Sequence, residues 1–188
     1  TGVQVLALLD ARPKFLELIA RVLTLAPKLG DKLARRPALL DALIEPRFAV
    51  PLGQDPPGSR NAELRERLGD ADNFEAKLNT ARRFHREEAF RIAVQILEQS
   101  ATAEQAGAAY ADLAESCVIA MADAALEEME RLHGTQPGSF TVLALGKFGG
   151  CELAEDSDLD LMLVYDAPSE NGSPSDFYTR LTQRLISA

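Results

Sequence analysis

As far as residue 133 the apolar residues of this chain recur at helical spacing, and after Gly134–Gly138 they do not. Two kinds of structure therefore follow one another. In the first, Phe15, Leu18, Ile19, Val22 and Leu23 mark a helix opened by Pro13, a good first-turn residue. Leu29, Leu33, Leu39, Leu40 and Leu43 continue in short helices broken at Pro27, Pro37 and Pro46. Four prolines and two glycines between Pro46 and Arg60 predict a loop. A long helix is expected from about Asp72 to Ser100, with Leu78, Ala81, Phe84, Ala89, Ile92 and Ile96 inward. Thr102 and Gln105 form a capping box for the next helix. That helix is expected to bury Tyr110, Leu113, Cys117, Met121, Ala125, Met129 and Leu132 and to stop at Gly134. Long helices with one apolar stripe pack as a bundle, here residues 1–135.

The second part, residues 136–188, carries two short apolar runs with strand character, Phe140–Leu145 and Leu159–Tyr165. Between them lie Gly146-Lys147-Phe148-Gly149-Gly150 and an acidic run from Glu152 to Asp160. Ala167–Ser175 reads as a loop, and a last amphipathic helix puts Tyr178, Leu181 and Leu185 on one face. The expected class is α+β, mostly α: a helical bundle followed by the start of a mixed core.

Composition removes several functions. A formal charge of −9 argues against diffuse capture of nucleic acid or an anionic membrane. No apolar run approaches the ~20 residues that span a bilayer, and no secretion signal is visible, which points to the cytoplasm. Cys117 and Cys151 match no metal or redox spacing. The chain begins at Thr1 without Met and ends at Ala188 just after a helical pattern, which reads as a piece of a longer protein.

The chemistry gathers around Ser157-Asp158-Leu159-Asp160. In a strand, Asp158 and Asp160 share a face, about 6.6 Å apart along the chain. Carboxylates so placed can share a pair of Mg²⁺ ions, which sit about 3.5–4 Å apart in two-metal sites. Leu159, Leu161 and Leu163 take the other face, and Met162 and Val164 continue the aspartate face as apolar surface. A strand apolar on both faces is expected to be central and buried, with the aspartates at its start. Gly149 and Gly150 lack Cβ, so backbone N–H groups can approach a polyphosphate. Lys147 adds a point charge and Ser157 a hydroxyl.

Other readings fit less well. Asp156, Asp158 and Asp160 mimic a Ca²⁺ loop, but Leu161 stands where that loop needs Gly. Gly146-Lys147 resembles the end of a P-loop, yet Phe148 replaces Ser/Thr and Thr141 the upstream Gly. Aspartyl-nucleophile phosphatases carry D-x-D after an apolar strand, whereas here the strand follows it. His85 and His133 share no ligand motif. Arg82, Arg83, Arg86 and Arg91 form a basic patch, for which a solvated helix face is the default.

Leu145-Gly146-Lys147-Phe148-Gly149-Gly150, Glu152-Leu153 and Ser157-Asp158-Leu159-Asp160-Leu161 together resemble the bacterial glutamine synthetase adenylyltransferase family, bifunctional enzymes that add and remove adenylyl groups. Leu33-Ala34-Arg35-Arg36-Pro37-Ala38-Leu39-Leu40-Asp41, and Arg82-Arg83-Phe84 to Arg91-Ile92-Ala93, resemble the helical segments before that motif. Phe148 and Cys151 depart from the usual residues. The resemblance implies a DNA polymerase β-like nucleotidyltransferase core in which Asp158 and Asp160 bind Mg²⁺ and Gly149, Gly150 and Ser157 hold the ATP triphosphate. It implies transfer of AMP from ATP to a tyrosine of glutamine synthetase, in nitrogen regulation. The PII signal protein and glutamine would regulate the parent chain.

The family carries this fold twice, once for adenylylation and once for phosphorolytic removal. Ser157-Asp158-Leu159-Asp160 and the Ala-Arg-Arg-Pro-Ala-Leu-Leu stretch look more like the C-terminal transferring half; the removing half is the alternative. Readings of other classes are a D-x-D glycosyltransferase, which leaves the Gly-Gly turn unexplained, and a non-catalytic helical regulatory module. The implied fold needs a third carboxylate on a later strand. None is available before Ala188, because Asp166 lies about 20 Å further along the strand. Residues 1–188 alone are therefore expected to be inactive.

Overall fold

A computed structural model describes residues 13–45, 48, 50–135, 138–167 and 174–187. The Thr1 start and most of the Ala167–Ser175 loop lie outside the described residues. Helix α1 spans Pro13–Leu25, α2 Pro27–Arg35 and α3 Leu39–Ile44. Phe15, Val22, Leu29, Leu33, Leu39 and Leu43 form a small core with Phe90, Ala93 and Val94. Leu23, at helical spacing from these, is 54% exposed.

The expected loop ends earlier than Arg60. Gly58 takes a left-handed conformation at φ +73° and caps α4, Ser59–Gly69. Only Leu64 and Leu68 signal this helix from its apolar side, one turn apart, too short a pattern to stand out.

Helix α5, Phe74–Leu97, starts on an Asn73 side chain that accepts from the Ala76 amide at 2.9 Å. Helix α6, Ala103–His133, starts on the expected capping box: Gln105 N–H donates to Thr102 Oγ1, and Thr102 N–H donates to Gln105 Oε1. Gly134 ends it at φ +78°. α5 is buried on two sides rather than along one stripe. Phe84, Ala89 and Ile92 enter the main core with α4 and α6, while Phe90, Ala93 and Val94 enter the smaller core. Ile96 falls between these faces and is 43% exposed; Leu132, in the last turn of α6, is 46% exposed. Both were expected inward.

Strand β1, Ser139–Ala144, pairs antiparallel with β2, Leu161–Asp166, with Leu143 opposite Met162 and Ser139 opposite Asp166. The second strand thus begins at Leu161, not Leu159, and Asp158 and Asp160 precede the ladder. One further bond, Leu145 N–H to the Asp160 carbonyl at 2.9 Å, continues the pairing to the second aspartate. Nor is β2 central and buried. Among the described residues it pairs only with β1, and Met162 and Val164 stay about half exposed. An apolar strand is buried on both faces only where something covers both, and the described helices cover one.

Helix α8, Pro174–Ile186, begins inside the expected loop and buries Tyr178 and Leu181 against Ala125 and Met129 of α6. Tyr178 stacks on Tyr165 of β2 with ring centroids 4.4 Å apart, so α8 fastens the far end of the sheet. The chain is mostly helical with a small antiparallel sheet. Among the described residues no helix is long and apolar enough to cross a membrane.

Candidate functional site

Gly146–Gly149 forms a single helical turn, α7, directly after β1. Two buried side chains seat it: Phe148 and Leu153 both join the main core of α4, α5 and α6. Gly107 of α6 makes this seating possible. A Cβ there would lie 3.1 Å from the Cys151 carbonyl oxygen, so the segment rests on bare helix backbone. The sequence reading missed this residue, whose only signal is a glycine inside an otherwise strong helix pattern.

Glycine is required in the turn for two different reasons. Gly146 has φ +53°, and a Cβ on it would collide with Asp160 Oδ2. At Gly149 a Cβ would lie 2.6 Å from the Ala144 carbonyl oxygen. Gly150 is less constrained, its nearest neighbour being the Gly146 carbonyl oxygen at 3.4 Å. The amides expected to reach a phosphate are already engaged. Gly149 N–H donates to the Leu145 carbonyl at 2.9 Å and Gly150 N–H to that of Gly146 at 3.0 Å. What these glycines contribute is bare backbone rather than free donors.

The loop after the turn is closed on itself. Ala154 N–H donates to Ser157 Oγ at 3.0 Å and Ser157 N–H to the Ala154 carbonyl at 3.1 Å. Ser157 Oγ thus accepts within the loop and keeps its own hydrogen for another acceptor. Lys147 is exposed, and its carbonyl accepts from the Glu152 amide at 2.8 Å.

Four of the five acidic residues from Glu152 to Asp160 divide into two pairs. Glu155 is paired with Lys32 of α2, and Asp156 lies 3.5 Å from Lys28 on the same helix. Asp158 and Asp160 are exposed and make neither an ion pair nor a side-chain hydrogen bond among the described residues. Two neighbouring carboxylates with no protein cation, one packed against a glycine, fit as part of a divalent-cation site. They are not a whole one: among the described residues no three His, Cys, Asp or Glu side chains cluster as a metal cage would. Asp166 stands at the opposite end of β2, out of reach of the pair.

The expected basic patch is reduced by one residue. Arg82, Arg83 and Arg86 are exposed, but Arg91 is 3% exposed. Arg91 donates to the Val50 carbonyl at 2.8 Å and pairs with Asp55 and Glu88. Arg60 completes the cluster, reaching Glu88 and Asp55 at 3.0 Å each and also Asp112. Burial works against the Arg60 charge, but the bond to Asp112 and the three carboxylates outweigh it and raise its pKa. His85 is pushed toward its neutral form by burial, then by Arg86 and Lys32, and it joins no ligand set.

The sequence profile described as glutamate-ammonia ligase adenylyltransferase matches residues 16–188. Curated relatives named bifunctional glutamine synthetase adenylyltransferase/adenylyl-removing enzyme align with the whole chain. The protein of Caulobacter vibrioides is 40% identical over 195 residues, which make up 19% of its own length. That of Xanthobacter autotrophicus is 40% identical over 197 residues, 20% of its length. That of Bradyrhizobium sp. strain ORS 278 is 38% identical over 198 residues, again 20%. The chain spans about a fifth of the length of these relatives.

Proposed function

The chain belongs to the glutamate-ammonia ligase adenylyltransferase family, and from that premise we propose that it forms part of the unit that transfers AMP from ATP to a tyrosine of glutamine synthetase. The observation that carries this reading is the pair Asp158 and Asp160, without a protein cation and held beside the bare backbone of Gly146. In this reading residues 136–188 begin a DNA polymerase β-like core and residues 1–135 are the helical platform under it. The third carboxylate comes from the parent chain beyond Ala188.

Asp158 and Asp160 would hold Mg²⁺, which when bound neutralises charge on the attacking and leaving oxygens of an in-line displacement. The residues of this chain do the positioning. Gly149 and Gly150 leave room for the triphosphate to lie along the turn. Lys147 contributes a mobile positive charge, and the Ser157 hydroxyl retains a hydrogen to donate to a phosphate oxygen. The loop carrying Ser157 is tied to α2 through Lys28 and Lys32, so the helical platform helps to set where the aspartates stand.

The wider reading follows the family: a cytoplasmic enzyme, regulated as a parent chain by the PII signal protein and glutamine. The test uses the full-length parent with glutamine synthetase, Mg²⁺ and labelled ATP. Label on glutamine synthetase that disappears in Asp160→Asn supports the transferring half. Label that persists moves transfer elsewhere in the parent and makes this unit the remover or a bystander.

A further inference from the structure

A second concave site lies away from the aspartates, where the start of α5, the end of α6 and α8 meet around a hollow of 670 Å³, a size within the range of small-ligand pockets. Its wall carries Arg82 from α5, His133 from α6, and Arg180, Gln183 and Arg184 from α8; Glu75 is its one acidic residue. Three arginines against one carboxylate is a local excess of positive charge in a chain whose net charge is −9.

The arginines are held in different ways. Arg184 stacks over the Phe74 ring, its guanidinium carbon 5.0 Å from the centroid. It also lies 3.9 Å from Glu128, whose carboxylate is taken up by Arg131 at 2.8 and 2.9 Å. Arg82 reaches the Ser187 carbonyl at 3.4 Å. Arg180 makes no ion pair or hydrogen bond among the described residues. Arg83, the next residue of α5, and Arg86, a turn beyond Arg82 and near Arg36, extend the positive surface. Guanidinium groups present paired N–H donors matched to phosphate oxygens, and Gln183 and His133 add donors at the same wall.

We propose that the hollow between α5, α6 and α8 is a binding site for a small phosphate-bearing anion, independent of divalent metal and separate from the Asp158–Asp160 pair. Arg180 and Arg184 are its principal contacts, with Arg82 on the opposite wall.

The test is calorimetric titration of the full chain with inorganic pyrophosphate at low salt, with EDTA present. One saturable site is expected, weakening as salt is raised. Arg180→Gln and Arg184→Gln should each weaken binding about ten-fold, the scale of one charge-assisted hydrogen bond. Arg180 is exposed and makes no ion pair or hydrogen bond among the described residues, so its variant should keep the fold, which circular dichroism checks. Asp160→Asn should bind pyrophosphate like the wild type, which separates this site from the proposed nucleotide site. Three results overturn the proposal: no binding in EDTA, binding unchanged by Arg180→Gln, or binding lost in Asp160→Asn. Citrate is the comparison arm; citrate binding as tightly as pyrophosphate would also overturn it, by making the site one for polycarboxylates.

Discussion

Asp160 rests a carboxylate oxygen in the space that a side chain on Gly146 would occupy, and Gly146 holds a left-handed φ of +53° at that point. Gly146→Ala therefore meets two obstacles, backbone strain of about 1 kcal/mol and a collision with the carboxylate. Because Asp160 is exposed, it can swing away, and the helices are not disturbed. The expected outcome is a melting temperature within a few degrees of wild type and AMP transfer by the parent enzyme reduced at least ten-fold. Gly69→Ala is the control, since Gly69 ends α4 without a left-handed φ and with open space around it. Equal activity in the two variants would show that Gly146 does not position Asp160.

Asp160→Asn should also separate activity from stability. Asp158 and Asp160 follow Glu155 and Asp156 closely, and only the latter two face lysines. Removing one negative charge from an exposed, uncompensated pair relieves repulsion, within the ±0.5 kcal/mol typical of surface changes. The variant should be as stable as wild type or slightly more so, while transfer is lost. A clear fall in the denaturation midpoint would mean that Asp160 has a structural partner.

The candidate site can be picked out in the sequence because it is local. Gly146 to Asp160 is one stretch, and its glycines and alternating aspartates are residue types with few other uses in such an order. What escaped the sequence depends on what lies across the fold. Gly107 is explained only by the carbonyl of Cys151 resting on it. In the sequence Arg91 reads as a member of the basic patch because it follows Arg82, Arg83 and Arg86 along one helix. Yet Glu88, Arg91 and Gln95 fall at spacings of three and four along α5, which puts them on one face. That face meets loop 48–55, where Gln95 accepts from the Leu52 amide and donates to the Val50 and Phe48 carbonyls. A loop that buries its backbone needs such partners, and no periodicity of its own announces it. The strand error has a similar origin. Leu159 continues the alternation of Leu161 and Leu163, but strand pairing ends where β1 turns into Gly146.

The two thiols should differ in reactivity. Burial pushes the Cys117 thiol up to about 12, so at pH 8 it is almost wholly protonated and shielded by its neighbours. Cys151 is exposed beside the turn. Folded protein should release about one equivalent of chromophore from DTNB quickly and the second only on unfolding. Cys151→Ser should remove the fast equivalent. If Cys117→Ser removes it instead, the packing of α6 differs from that described.

Gly107→Val tests the seating of the Gly-rich segment on α6. Its nearest neighbours would be backbone atoms of Cys151 and Glu152 at 3.1 and 3.3 Å, which cannot rotate aside. Overpacking of this kind costs about 1–3 kcal/mol, only partly offset by the better helix propensity of Val over Gly. Because the strain falls between α6 and the segment that carries Phe148 and Leu153, the damage should be local. Hydrogen exchange is expected to speed up at residues 146–157 before it does in the centre of α6. Uniform acceleration along α6 would mean instead that the helix, not the seating, gives way.

Arg60 offers the sharpest test of the buried cluster. It is 6% exposed and bridges Asp55, Glu88 and Asp112, so it joins loop 48–55 to α4, α5 and α6 at one point. Glu88, 3% exposed, pairs with Arg60 at 3.0 Å and with Arg91 at 3.3 Å. Truncating one partner of a buried charge pair costs about 3–5 kcal/mol, because the other charge stays out of water. Arg60→Ala should lower the free energy of unfolding, read from urea titration, by that amount. Arg60→Ala combined with Glu88→Gln should be less damaged than Arg60→Ala alone, since the second change removes a buried carboxylate that Arg60 neutralises. If the double variant shows the sum of the two single losses, Arg60 and Glu88 do not stabilise the fold as a pair.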